Sequence, residues 1–337
     1  MVEIENLEVK EFIIHRIQKE RGTDPSILTL RAGSLPLDDK VKDFLFNVNK
    51  TYEKKTAREY GAFNPNSDIY KFPSLLRDYL FKDLDFVELS HRSMKIYKTN
   101  LDKENFATGG YIIFSHYLNN GVQKFLVIGL NDKVGYAIDS DSLTLKDSIH
   151  LDLDKIDLAN KIDVDLWATD EENYLSFIKG KKNVSKYFLE FIGCTNNISP
   201  KKISDNLVNA LQDFMKNNNF DFERGLQTRA RVLDYCNSQA TEGKEVEMRT
   251  IANLVLPEDP DSFYLFATSE ERRIGDTFHV DKDVIKRLTM IAYKNRSFKI
   301  AFENDALHDT IRYDESTNIL EIHNVPRELK ELILDRY

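Results

Sequence analysis

The chain has 337 residues, 41% hydrophobic and 31% charged, enough apolar material to bury a sizeable core, which excludes wholesale disorder. Its net charge of −9 argues against a histone-like protein that coats DNA through overall positive charge. No run approaches the roughly 18–20 apolar residues that span a bilayer, and residues 1–6 carry no secretory signature, so a cytoplasmic protein is expected.

In chain order, Glu11-Phe12-Ile13-Ile14-His15-Arg16-Ile17 and Ser26-Ile27-Leu28-Thr29-Leu30 read as strands joined by the turn Gly22-Thr23-Asp24-Pro25. Residues 38–60 place Val41, Leu45, Val48 and Tyr52 at helical spacing behind an Asp38 or Asp39 cap, and residues 72–98 predict two further helical pieces. Tyr111–Tyr117 and Phe125–Leu130 flank Asn119-Asn120-Gly121, the strongest hairpin signal in the chain. Tyr136-Ala137-Ile138 and Ser142-Leu143-Thr144-Leu145 extend the expectation to a four-stranded meander.

From residue 186 the pattern turns helical. One helix carries Tyr187, Phe188, Phe191 and Ile192; a second opens at Pro200 with Ile203, Leu207, Ala210, Leu211 and Phe214 on one face; a third runs from 222 to 240. Strands return at 298–302, 310–313 and 319–322, and Pro326 opens a terminal helix. The fold expected is α+β. A mixed N-terminal domain over residues 1–190 is built on a central antiparallel meander, and a mainly helical domain over 191–337 is closed by a small sheet.

No Walker loop and no G-x-G-x-x-G occurs, so nucleotide binding of those kinds is unsupported. Asp152, Asp154 and Asp157 invite comparison with an EF-hand, but the sixth position is Asp157 rather than Gly and the twelfth is Asp163 rather than Glu. Seven histidines show no metal-ligand spacing; His116, inside an apolar strand, reads as a satisfied core group before it reads as a base. No G-x-S-x-G accompanies it. Cys194 and Cys236, far apart, read as reduced core thiols. Neither metal, cofactor nor catalytic residue is expected.

Charge is unevenly placed. Residues 147–172 hold nine acids against Lys155 and Lys161, and residues 282–299 hold six bases against Asp283. Lys179, Lys181, Lys182 and Lys186 form a third group at a helix start, where lysines and backbone N–H groups together suit phosphate. Lys286, Arg287, Lys294, Arg296 and Lys299 are the other candidate phosphate contacts. Asp152, Asp154 and Asp157 are the candidate protein-docking residues.

A collinear series of segments from about residue 105 onward resembles the bacterial nucleoid-associated protein family of the NdpA or YejK type. It includes Gly109-Gly110-Tyr111 through Phe114, His116-Tyr117, Leu151-Asp152, Ile156-Asp157, Lys161-Ile162-Asp163 and Trp167. It continues with Tyr174 through Gly180, Tyr187-Phe188, Phe191 through Cys194, Tyr235-Cys236-Asn237, Phe278 with Asp281, and the strand-rich tail over 298–332. The resemblance implies a nucleoid-located, DNA-associated protein without enzymatic activity, and a link to type II topoisomerases. One departure stands out: where the family follows Lys-Gly with arginine, this chain has Lys181-Lys182-Asn183, which keeps charge but loses a bidentate reach to phosphate.

The leading expectation is therefore an accessory protein, expected as a homodimer, that binds double-stranded DNA through local basic clusters. Two alternatives are an acidic adaptor recruited to the nucleoid by a DNA-handling enzyme, and a cryptic nuclease of a defence system built from scattered carboxylates.

Overall fold

The computed structural model describes residues 4–20, 22, 25–55, 58–105, 107–169, 171–178, 186–195, 199–307 and 309–336. It is an α+β protein, as the sequence predicts, and its contacts divide it into two compact units. The first comprises the residues up to Ser199 together with Thr268–Asp276, and the second comprises Pro200–Ala267 with the residues from Thr277 on.

The first unit contains β1 (Leu7–Gln18), β2 (Ile27–Thr29), α1 (Asp39–Glu53), β3 (Arg58–Phe63), α2 (Phe72–Phe81) and α3 (Phe86–Leu101). There follow β4 (Gly110–Asn119), β5 (Val122–Leu130), β6 (Asp132–Ile138), β7 (Leu145–Leu151) and β8 (Leu158–Asp163). It ends with α4 (Val164–Ala168), β9 (Leu175–Ile178), α5 (Lys186–Ile192) and β10 (Cys194–Thr195). Eight strands form one sheet in the order β10-β3-β9-β8-β5-β4-β1-β2, with every pairing antiparallel.

The sheet is apolar on both faces because helices cover both. Phe114, Phe125 and Val127 pack among side chains of α2, α3 and α5, including Phe72, Tyr97 and Phe191. Ile113, Leu126 and Ile128, one residue out of step, pack with Val41, Leu45, Val48 and Tyr52 of α1. The β4–β5 hairpin turns at Asn120 and Gly121, both left-handed with φ of 52° and 78°, as an Asn-Gly two-residue turn requires.

Two expectations change. The helix predicted over 38–60 stops at Glu53, and residues 58–63 become β3, because the pairing of Arg58–Gly61 with Leu175–Ile178 outweighs local propensity. The meander stops after two strands: β5 lies beside β8, while among the described residues β6 and β7 pair only with each other, with Val134 opposite Ile149 and Ile138 opposite Leu145. The acidic stretch contributes β8, four of whose residues carry buried side chains between Asn160 and Asp163.

The second unit contains α6 (Pro200–Asn217), α7 (Phe222–Thr241), β11 (Val246–Glu247), α8 (Met248–Val255), α9 (Pro260–Ala267), β12 (Thr277–Phe278) and α10 (Lys282–Ile285). Its core brings Phe214 edge-on to Phe263 with ring centroids 5.0 Å apart. Two ribbons close it, β13 (Met290–Lys294) with β14 (Lys299–Glu303) and β15 (Ile311–Asp314) with β16 (Ile319–Ile322), before α11 (Arg327–Leu334).

Candidate functional site

Of the first basic group, Lys179, Lys181 and Lys182 lie outside the described residues. Lys186, exposed at the start of α5, sits 3.8 Å from Glu190 one turn on. The second group divides. Lys286 pairs with Asp283 at 3.0 Å and Arg287 with Asp205 on α6, so both are drawn onto the body of the unit. Lys294, Arg296 and Lys299 instead occupy the tip of the β13–β14 ribbon, exposed and, among the described residues, without an ion-pair partner.

The register of that ribbon is informative. Lys294 stands directly opposite Lys299, with Ala292 opposite Ala301 behind them. Like charges in directly opposed positions destabilise a ladder, so this arrangement costs stability that nothing nearby on the ribbon offsets. Between the lysines, Asn295 accepts hydrogen bonds from the N–H groups of Ser297 and Phe298, both at 2.8 Å, and holds Arg296 at the bend. The other face carries Tyr293 and Phe298, exposed and in mutual contact with centroids 5.8 Å apart. From 290 to 302 the ribbon holds three cations and no acid. The exposed aromatic pair was not singled out in the sequence, although Tyr293 and Phe298 each adjoin a cation there.

Among the described residues the acids take different surroundings. Asp152 is buried and Asp154 exposed, and both face Lys133, at 3.9 and 3.4 Å; Asp157 is exposed. Asp165 accepts from the backbone N–H and side-chain amide of Gln123. Asp163 turns inward and joins a cluster that sequence reading missed. There Lys124 of β5 meets Asp163 at 2.9 Å and Glu270 at 3.7 Å, Lys161 of β8 pairs with Glu270, and Arg273 reaches Asp163 at 3.2 Å. Arg58 of β3 donates to the carbonyl of Thr268. Its three cations were not legible as strand residues: Arg58 fell within the expected helix, and Lys124 and Lys161 lay outside the strands that the pattern marks, so their need of a buried partner showed only in the fold.

Burial opposes ionisation of Glu270, but Lys161, Lys124 and Arg58 prevail and hold its carboxyl at about 2. Burial lowers the Lys161 ammonium despite the same partner. The cavity beside them, lined by Tyr60, Asn173, Tyr174 and the charged groups, is about 20 Å³, room for roughly one water. The network ties Thr268–Asp276 to β3, β5 and β8.

His116 and Cys194 are half-buried and Cys236 is buried. Gln123, oriented by donating its amide to Asp165, leaves its oxygen to accept from His116 Nε2 at 3.3 Å, and Tyr79 then donates its hydroxyl to Nδ1 at 2.9 Å. Burial lowers the His116 imidazole. The thiol of Cys194 is pushed well above its usual range by burial, and that of Cys236 to about 12.

Comparison with known proteins places the chain in a family. The model of the family described as nucleoid-associated protein YejK matches residues 13–330. A nucleoid-associated protein of Shewanella pealeana is 30% identical over 98% of both chains. One from Pseudomonas paraeruginosa is 29% identical over 97% of both, and one from Metapseudomonas resinovorans 27% identical over 96% of this chain and 98% of its own. No helix among the described residues is long and apolar enough to cross a membrane. With the match running almost end to end, the chain belongs to the nucleoid-associated protein YejK family.

Proposed function

We propose that the protein acts on the nucleoid as a non-catalytic DNA-binding accessory, gripping duplex phosphates with Lys294, Arg296 and Lys299 of the β13–β14 ribbon. The observation that carries this reading is the opposed Lys294–Lys299 pair, a local cost to the fold that a polyanion lying across the tip would relieve. A two-stranded ribbon also matches the width of a B-DNA major groove. The charge of −9 does not oppose it at contact range, because salt screens exposed charges beyond about 10 Å. Lys286 and Arg287, already paired, are secondary contacts; Lys179, Lys181, Lys182 and Lys186 remain candidates for the same role.

The test is binding to a labelled duplex across a salt series, with the wild type beside a Lys294→Glu, Arg296→Glu, Lys299→Glu variant. Affinity of the wild type falls with salt, and the variant loses about 3 units of log–log slope, near 0.9 for each phosphate contact. A wild type that fails to bind at low salt, or a variant that binds with an unchanged slope, overturns the reading.

A further inference from the structure

The cavity of about 20 Å³ beside the buried charges is not balanced by its own walls. They carry three cations, Lys124, Lys161 and Arg273, against two acids, Asp163 and Glu270, a surplus of one positive charge. Behind them stand Arg58 and Glu53, one of each sign, which leave the surplus unchanged. Glu59, next on β3, turns to the opposite face and lies against Gly275. Lys161 is 3% exposed and Lys124 9%, so solvent does little to screen them.

The hydrogen bonds are unbalanced in the same sense. Asp163 already accepts from the Leu166 N–H, from Lys124 and from Arg273, and Glu270 from Lys161. Donors remain. Asn173 lines the cavity, is 4% exposed, and among the described residues its Nδ2 has no partner. Ser176, also on the wall, accepts from Tyr52 at 2.9 Å, which leaves its own hydroxyl proton to donate. We propose that this cavity binds one small monovalent anion of halide size, such as chloride. Water must donate protons as well as accept them and brings no charge, whereas an anion only accepts and neutralises the surplus. A space for roughly one water admits a halide and is too small for a phosphate. Bound there, the anion completes the ties between Thr268–Asp276 and the sheet.

The proposal is independent of the DNA reading, since it is tested with no nucleic acid present. The full chain is melted at fixed ionic strength while sodium gluconate, whose anion is too large to enter, is exchanged for sodium chloride. The melting temperature of the wild type rises by about 2–4 °C and saturates, and bromide acts in the same way, because only the folded state binds. Asn173 has a left-handed backbone, φ 64°, which glycine and aspartate both tolerate. Asn173→Gly removes the donor and needs about tenfold more chloride for the same rise. Asn173→Asp supplies the missing negative charge itself, melts in gluconate no lower than the wild type, and shows no halide response. Crystals soaked in bromide give an anomalous peak in the cavity. A wild type indifferent to halide, a cavity that holds water only after the bromide soak, or an Asn173→Asp variant that responds to chloride as the wild type does overturns the proposal.

Discussion

β4–β5 and β6–β7 are consecutive hairpins built by the same pairing rules, yet one is the centre of the core and the other is bare on its apolar side. β4 and β5 are apolar on successive residues because α1 lies over one face and α2, α3 and α5 over the other. β6 and β7 are apolar only on alternate residues, so just one of their faces was written to be covered. Runs that look alike as strands thus differ in how many faces they were meant to bury, and period-two sorting marks the difference.

The contrast can be broken most directly by truncation. Phe125→Ala opens a cavity in a fully buried layer and costs about 3–5 kcal/mol in denaturant unfolding. Tyr136→Ala, at a side chain that is 79% exposed, changes stability by about 0.5 kcal/mol or less. Comparable losses from the two would mean that the β6–β7 ribbon is packed within the chain.

The next effect sharpens what holds the sheet's centre. Glu270→Gln leaves Lys161 and Lys124 buried without their shared counter-charge and costs about 3 kcal/mol. Acid separates this cluster from the rest. Burial, with His91 nearby, holds His15 neutral down to about 4, so the unfolded chain takes up its proton first and stability falls as pH drops from about 6.5 to 4. Glu270, depressed to about 2, contributes stability above its unfolded value that is lost as pH falls from there toward 2. Melting temperature therefore declines in two stages for the wild type, and Glu270→Gln flattens the lower one. A wild-type melting temperature unchanged between pH 7 and 4 would contradict the His15 assignment.

The smallest effect distinguishes the two halves of the C-terminal basic group. Lys286→Ala with Arg287→Ala removes two surface ion pairs, costs about 1 kcal/mol or less, and shifts the salt slope of duplex binding less than reversal of the ribbon-tip cations does. An equal shift in slope would extend the interface from the tip onto the body of the unit.

Much of this was legible in the chain itself. Asn119-Asn120-Gly121 determines a hairpin through left-handed backbone alone, Pro200 and Pro326 open helices, and the apolar spacing of α1 and α6 picks out their buried faces. Basic composition between 282 and 299 was visible too. Only tertiary structure decided which of those cations stay free, because Asp205, which takes Arg287, is 82 residues away. It likewise turned Asp163 inward, converted 58–60 from helix to strand by pairing them with β9, and left the apolar face of the β6–β7 ribbon uncovered. Local sequence determines backbone preference and the period of burial. Which charge meets which, and which face finds a cover, depends on residues that chain folding brings together from far apart.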